Sequence, residues 1–472
     1  MLRIIGCRLA SFEQGNSHLL NRIVTTVLSA CLLLLSPIVL AAAEVFQLEA
    51  MLELDPLDWS SIDPSQLINQ YTLALANKQK LKEDQICRLY LLRGVALIHA
   101  GKEKDAVQDL TELLKIHPND CQALRFRGDA YSMLGDFDKG QADFESLLKF
   151  QPKSGIGHAC LALCLAERGH NEDCTKFAEK AIALDSEEPL GYLARAEAFL
   201  RTNHYPQALN DLNRCVTLSL SGSTPSGKQL FILRSGVLLN IFDDTKKALP
   251  DLLMARRLDP NDSVVTALIC KYYFKTGKYN MAFHLSERLL KMAKGRLDLM
   301  YIRVNCFLAL NRNDEALQMA ESMMRQDSDR WGNYLCRGEV FFSQKMYKEA
   351  LQDYDKSLSL LNDTISTMEA KAYLLAACPE AQFRDGPTAR TLATKCCERT
   401  EYQVPRRLML LAMACAECGD YKEAVRWAKK SLEKADPGFP FLADYRTRLA
   451  LFEKEKPFRF SNDSPVYDYL CP

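Results

Sequence analysis

Net charge is missing from these 472 residues, because 60 Lys and Arg stand against 60 Asp and Glu. That balance removes the long-range field by which nucleic-acid and acidic-membrane binders find their targets, so no nucleic-acid partner is expected. Histidine is scarce as well, with seven in the chain, and the six from His99 to His284 fall singly along it. No H-E-x-x-H occurs and no Cys/His spacing fits a zinc site, so no metal is expected. No nucleophile is followed by a base at a spacing that would pair them. The chain is therefore expected to be no enzyme, with no catalytic residues, no cofactor and no small-molecule substrate.

A disulfide framework is absent despite 17 cysteines. Cys7 and Cys31 precede residue 44, and the other 15 are an odd number scattered singly, unlike the paired spacing of a stapled fold. Cys160 and Cys164, Cys415 and Cys418, and the adjacent Cys396 and Cys397 could each supply half a metal site at most. Small apolar filler is the simpler use. One near-match to a phosphate loop, Gly222 to Lys228, has Gln229 where a Ser or Thr must ligate magnesium, and a helix rather than a strand precedes it. It reads as a surface loop.

What is present begins with a leader at residues 1–43. Arg3, Arg8 and Arg22 precede an apolar run from Ile23 to Leu40, and Ala41-Ala42-Ala43 supplies small residues before Glu44. This is the pattern of an export signal. The run is also long enough, at the lower edge, to remain as a membrane anchor through residues 23–40. Both outcomes place the remainder outside the cytoplasm, in a periplasm or cell envelope, with membrane contact only through this segment. With 48% hydrophobic and 25% charged residues the rest is an ordinary folded composition, and its length exceeds one core.

The dominant signal is a repeat. Small residues recur at Gly94, Gly128, Ala162, Ala196, Gly236, Cys270, Val304, Gly338, Ala372 and Ala412; seven of the nine intervals are 34 residues and two are 40. Twelve residues after each comes a second series: Ala106, Gly140, Cys174, Ala208, Ala248, Ala282, Ala316, Ala350 and Ala424, with Ala389 alone out of step at 17. Gly101, Gly135, Gly169, Gly277 and Gly419 mark the turns between the two helices so defined. Two antiparallel helices approach to about 8–10 Å only where the crossing residues are small. Each hairpin must then stack on its neighbours to bury its remaining apolar face. Four units also place an Arg one before the first small residue and an Asp three after the second, giving Arg93/Asp109, Arg127/Asp143, Arg195/Asp211 and Arg337/Asp353, with Arg234/Asp251 offset by one. These are expected to be structural salt bridges that hold hairpin register.

Gly94, Ala106, Pro118, Tyr131 and Phe144 stand at the phase of the tetratricopeptide motif, and residues 87–436 resemble that family throughout. The resemblance implies an all-α fold: a right-handed superhelical solenoid of about ten hairpins, with helix A of each lining a concave groove. The insertions near 221–228 and 377–388 read as loops, residues 44–86 as an N-terminal helical cap, 437–455 as a C-terminal capping helix and 456–472 as an irregular tail. The stretch around Arg384-Asp385-Gly386 and the closing Lys456-Pro457-Phe458-Arg459 resemble elements of repeat proteins from planctomycete bacteria. The family implies a non-catalytic protein-interaction scaffold binding partner peptides or domains; an accessory subunit of an envelope-associated enzyme complex is the other reading. Groove positions implied are Arg125, Asp129, Glu197, Arg201, Arg234, Asn240, Lys271, Lys275 and Asn305. The basic middle of that set suits an acidic peptide or a terminal carboxylate. The family's chaperone-tail clamp is not expected, because Leu91 and Val95 stand where its first Lys and Asn belong. A double-mutant cycle on Arg127 and Asp143, read by thermal unfolding, should give a coupling energy of about 1 kcal/mol or more; additive losses would refute their pairing.

Overall fold

The computed structural model describes residues 64–221, 227–292, 295–435, 439 and 441–460. Among them all regular structure is helical, with 22 α-helices. The chain divides into two compact units, Met1–Asp136 and Phe137–Pro472. The leader and residues 44–63 lie outside the described residues. Among those described, no helix is long and apolar enough to cross a membrane.

The first unit contains α1 (Pro64–Ala76), α2 (Glu83–His99), α3 (Glu103–Ile116) and α4 (Cys121–Met133). Helix α1 begins at a proline, whose fixed φ and missing N–H suit a first turn. It buries Leu67, Tyr71 and Leu75 against Leu89, Leu92, Val95 and Ala96 of α2.

The second unit opens with α5 (Phe137–Phe150), followed by the hairpins α6 (Gly155–Glu167) with α7 (Asn171–Leu184) and α8 (Pro189–Arg201) with α9 (Tyr205–Ser221). Next come α10 (Gly227–Val237) with α11 (Thr245–Leu258), α12 (Ser263–Lys275) with α13 (Tyr279–Met292), and α14 (Leu297–Ala309) with α15 (Asn313–Gln326). The last three are α16 (Trp331–Ser343) with α17 (Tyr347–Leu360), α18 (Ile365–Ala377) with α19 (Gly386–Glu398), and α20 (Pro405–Glu417) with α21 (Tyr421–Lys434); α22 (Leu442–Phe452) closes the stack. The insertion expected after residue 220 partly becomes helix, lengthening α9 to 17 residues.

Packing explains the small residues. A Cβ on Gly94 would lie 2.9 Å from Leu110 Cγ, and one on Gly338 only 2.7 Å from Tyr354 Cε1. At the corner of the first hairpin, Lys102 N donates to Leu97 O and Gly101 N to Ile98 O, a closure that needs a left-handed residue. Gly101, Gly169, Gly277 and Gly419 take φ near +70 to +80°, and Asn203, Asp243, Asn311 and Lys345 occupy the same phase with φ of 56–63°.

The fifth hairpin departs from the expectation. Leu238–Phe242 forms a π-helical turn, which inserts one residue into helix A. That explains why Arg234 stands one place early. It also corrects the packing position: Ser235 is fully buried, whereas a Cβ on Gly236 would meet nothing within 4 Å.

The last helix and the residues that follow it are tied into the second unit. Helix α22 buries Arg448 together with Tyr445 and Phe452, with the Arg448 guanidinium 4.2 Å from the Phe458 ring. The tail has no regular structure over 456–460, yet it is held. Phe460 N donates to Ala377 O, Arg459 pairs with Glu417 at 2.5 Å, and the Phe460 ring stacks on Tyr373 with centroids 5.6 Å apart. Arg384 of the R-D-G turn meets the same Glu417 at 3.0 Å. Residues 461–472 lie outside the described residues.

The tightest of these contacts is testable. Gly338→Ala should destabilise the second unit by about 1–3 kcal/mol, because the fully buried Tyr354 ring has nowhere to move. A thermal-unfolding midpoint equal to the parent's would contradict this packing.

Candidate functional site

The Arg/Asp positions form a ladder of two-pronged ion pairs between helix A and helix B. Arg93 Nε and Nη2 each lie 2.6 Å from Asp109. The pairs Arg195/Asp211 at 2.8 and 2.9 Å, Arg234/Asp251 at 2.7 and 2.6 Å and Arg337/Asp353 at 2.8 and 2.7 Å repeat the geometry. Asp109, Asp211, Asp251 and Asp353 are all buried. Arg127 and Asp143 belong to different units; within its own, Arg127 donates to Thr111 Oγ1 at 3.3 Å. In the seventh hairpin, where Met319 replaces the Asp, Arg303 instead lies 4.4 Å from the Phe283 ring centre and 5.3 Å from that of Phe307. A cation–π contact stands in for the salt bridge.

The second unit curls until the fifth hairpin of the array, α10 with α11, meets the ninth and tenth, α18 to α21. Arg407 Nη1 donates to Ile241 O at 2.7 Å, a carbonyl offered by the π-helical turn. Arg407 Nε also pairs with Glu369 Oε1, and Arg406 holds Glu369 Oε2 at 2.8 Å. Asp243, at the left-handed corner just after that turn, takes Lys275 Nζ at 2.5 Å and faces Arg406 Nε at 4.0 Å. Gln207 adds a bond to Glu401 at 3.1 Å. Burial would raise both carboxyls, but Lys275, Arg406 and Arg407 hold Asp243 below the usual range, and the two arginines do the same for Glu369. This cluster is an ionised clasp across the interior.

Two hollows flank the clasp. One, of 680 Å³, is bordered by Asp243, Lys275 and Arg406 of the clasp, the start of α11, the end of α21, and Phe242, Phe439 and Phe441. The other, of 720 Å³, is lined by helix A residues of the fifth to ninth hairpins, among them Asn240, Ile241, Leu268, Lys271, Tyr301, Leu335 and Ile365. Beside it Tyr301 donates to the buried Glu339 at 3.2 Å. Burial raises the Glu339 carboxyl to about 8. Burial and then Lys275 lower the Lys271 ammonium to about 7, against the pull of Asp243 and Glu339.

A family model described as tetratricopeptide repeat matches residues 405–430, which are α20 and the start of α21. The other hairpins repeat that helix pair, most of them at the same spacing. The chain is a tetratricopeptide-repeat protein. It is 22% identical over 307 residues to DnaJ homolog subfamily C member 3 of Bos taurus, covering 56% of this chain and 58% of that one. The chain thus spans little more than half the length of the curated relatives it matches. A tetratricopeptide repeat protein from Parabacteroides merdae superposes over 53% of this chain and 96% of its own, with 14% identity and a TM-score of 0.42. Yeast Tom70 does so over 82% and 92%, with 15% identity and a TM-score of 0.39. Tetratricopeptide repeats are a protein-interaction fold, and a general scaffold role follows.

Within the tetratricopeptide frame, the groove residues separate. Arg201, Asn240 and Lys271 line the 720 Å³ hollow, with Arg201 held by Glu167 at 3.1 Å. Glu197 is half-buried, and burial raises its carboxyl against the pull of Arg201. Arg125 and Asp129 face each other at 3.8 Å on α4 of the first unit. Three groove assignments need correction. Arg234 is committed to Asp251, Lys275 is neutralised by Asp243, and Asn305 is buried beside Tyr301 rather than presented to the groove. Leu91 and Val95, at the clamp positions, are buried.

The salt-bridge aspartates are core residues, out of reach of any ligand. Asp211 shows this most clearly, at 3% exposed, because close packing of α8 on α9 shuts water out while both its carboxylate oxygens are taken by Arg195. Asp109 and Asp353 are buried in the same way, and Asp143 is buried too.

Sequence reasoning passed over Asp243, Tyr301, Glu339, Glu369, Arg406 and Arg407. Two of these had a readable signal. Asp243 occupies the corner phase that glycine holds elsewhere. Glu339 continues a 34-residue column through Lys271 and Asn305. Of the 14 cysteines among the described residues all are free thiols, twelve of them buried, and no cluster there could hold a metal. Lys228 of the near phosphate loop is taken by Asp259 at 3.0 Å and Asp262 at 2.7 Å; residues 222–226 lie outside the described residues.

Glu339 gives a pH test. An unfolded glutamate loses its proton near 4.5, while this one keeps it to about 8. The folded chain therefore binds more protons in between, and stability falls as pH rises through that window. Glu339→Gln should raise the unfolding midpoint at pH 6 more than at pH 5, a range below most of the Lys271 titration. An equal change at both pH values would refute a protonated Glu339.

Proposed function

We propose that this chain is a non-catalytic scaffold whose second unit docks an acidic, aromatic-bearing segment of a partner protein in the 680 Å³ hollow. The observation that carries the reading is charge. Lys246, Lys247, Lys275, Arg406 and Lys434 line it against only Asp243 and Asp244, with Phe242, Phe439 and Phe441 alongside. Cations around an apolar floor favour a segment whose acidic side chains pair at the rim while an apolar one enters. Lys275 and Arg406 are built into the clasp, whereas Lys246, Lys247 and Lys434 are exposed at the rim, where Lys247 shares Asp244 at 2.9 Å and Lys434 donates to Gln403 at 2.8 Å; an acidic segment would compete for these three. The clasp forms one wall, and a partner docking here would bridge the fifth and tenth hairpins. Export guided by residues 1–43 would place this docking in a periplasm or cell envelope.

The test is co-purification from membrane and soluble fractions, with and without residues 1–43. It is paired with fluorescence polarisation using a labelled acidic decapeptide containing two phenylalanines. The triple variant Lys246→Glu, Lys247→Glu, Lys434→Glu should weaken the peptide by about tenfold or more and release the co-purified partner. Affinity should fall with added salt. A neutral peptide binding equally well, or an unaffected triple variant, would overturn the reading.

A further inference from the structure

The 720 Å³ hollow lies on the other side of the clasp and presents a different chemistry. Its volume falls in the range of about 300–1,000 Å³ usual for sites that enclose a small molecule. Its wall is apolar over Ala267, Leu268, Leu297, Ile302, Trp331 and Ile365. The charges at its border are largely matched within the protein: Arg201 to Glu167, Asp298 to Arg296, and Asp363 to Lys395 and Arg399. The amide nitrogen of Asn333 is likewise committed, to Met323 O and Asp327 O. Its Oδ1, buried and without a hydrogen-bond partner among the described residues, remains as an acceptor.

Two cations stand apart from that pattern, Arg330 at the exposed rim and Lys271 deeper in the hollow. Lys271 lines the hollow, half-buried, and among the described residues its ammonium makes neither a hydrogen bond nor a salt bridge. The groups facing it are Lys275 on its own helix, Asp243 from the fifth hairpin, Glu339 from α16 and Arg406 from α20. Of the two acids, Asp243 is already occupied by Lys275. Glu339 is bonded to Tyr301 and held protonated by burial, so it does not neutralise the lysine. A buried cation without a counter-ion is costly, and a ligand that supplies the missing anion relieves that cost.

The clasp decides what sort of ligand can do so. Ile241 both lines this hollow and gives its carbonyl to Arg407, so the trough is closed there and an extended chain cannot run through. The polar lining residues Asn203, Asn240, Asn362, Thr364 and Ser366 come from other elements, while α12, α14 and α16 present mostly apolar side chains around Lys271. We propose that the hollow is a binding site for a free monocarboxylate with an apolar body, its carboxylate on Lys271 and its hydrocarbon along the wall of α12, α14 and α16. This site is separate from the acidic-segment hollow and does not depend on it.

Decanoate is the probe, with decanol and decylamine as length-matched controls, titrated calorimetrically into the full chain. Decanoate should bind at least about tenfold more tightly than either control, the difference made by one charge-assisted contact. Lys271→Gln should reduce decanoate to the level of decanol. Should that variant unfold, Val264→Trp gives a second reading, because Val264 lines the hollow while 45% exposed and its enlargement fills the entrance without disturbing the core. It should abolish decanoate binding. The Lys246/Lys247/Lys434 charge reversal should leave decanoate unaffected, which separates this site from the one above. Equal binding of decanoate and decanol, or decanoate binding that survives both variants, would overturn the proposal. So would a peptide ending in leucine that displaces decanoate and outcompetes it tenfold, which would assign the hollow to a chain end instead.

Discussion

Helix-to-helix distance is the constraint from which the other features descend. Each hairpin closes only where a side chain is small enough to let the partner helix in, as Gly94 does for Leu110 and Gly338 for Tyr354. Close approach brings helix A and helix B within reach of a short, two-pronged Arg–Asp pair. It also leaves each pair's outer face apolar, so neighbours must stack. The buried cysteines belong to the same economy of volume. Cys174, Cys270 and Cys415 are fully or almost fully buried, where a larger side chain would push the helices apart.

The ion-pair ladder acts on register rather than on bulk stability. A two-pronged contact, such as Arg195 on the buried Asp211, fixes the rotation of one helix against the other. Its net worth is modest because both groups leave water. Exchange with a different interaction is therefore tolerated. Where the aspartate is lost, Arg303 settles between Phe283 and Phe307, and hairpin geometry persists. What must be preserved is a partner for the arginine, not a particular anion.

The clasp follows from a local irregularity. One extra residue in the fifth hairpin is absorbed as a π-helical turn, which presents Ile241 O and aims Asp243 inward from a left-handed corner. Opposite them, Arg406 and Arg407 emerge from the first turn of a helix otherwise rich in apolar residues, and Glu369 joins both. Buried charges on this scale persist only when each is matched, so the clasp holds together as a unit. By closing the trough it separates one hollow dominated by lysines from another that is apolar with a single unmatched lysine. Two surfaces of different chemistry arise from one array.

The repeat, the all-helical class, the hairpin boundaries and the Arg–Asp pairing were legible in the residues, because each depends on contacts between positions at a constant separation along the chain. Sixteen residues from Arg93 to Asp109 is the same problem as sixteen from Arg195 to Asp211 or from Arg337 to Asp353. How deeply those aspartates sit was not legible, since burial depends on the neighbouring hairpins as well as on the pair. The groove was legible only in part, since helix A positions could be named but not their neighbours. Lys275 reads as a free groove cation until Asp243 is seen beside it, and Asn305 as exposed until Tyr301 is placed over it. Arg407 and Ile241 are 166 residues apart, and no period links them. Their meeting depends on how small rotations between successive hairpins accumulate over five repeats, a sum that local spacing does not carry. The sequence by itself therefore determined the hairpin and its stacking; the tertiary structure decided where the trough closes, which charges are consumed in closing it, and which lysine is left over.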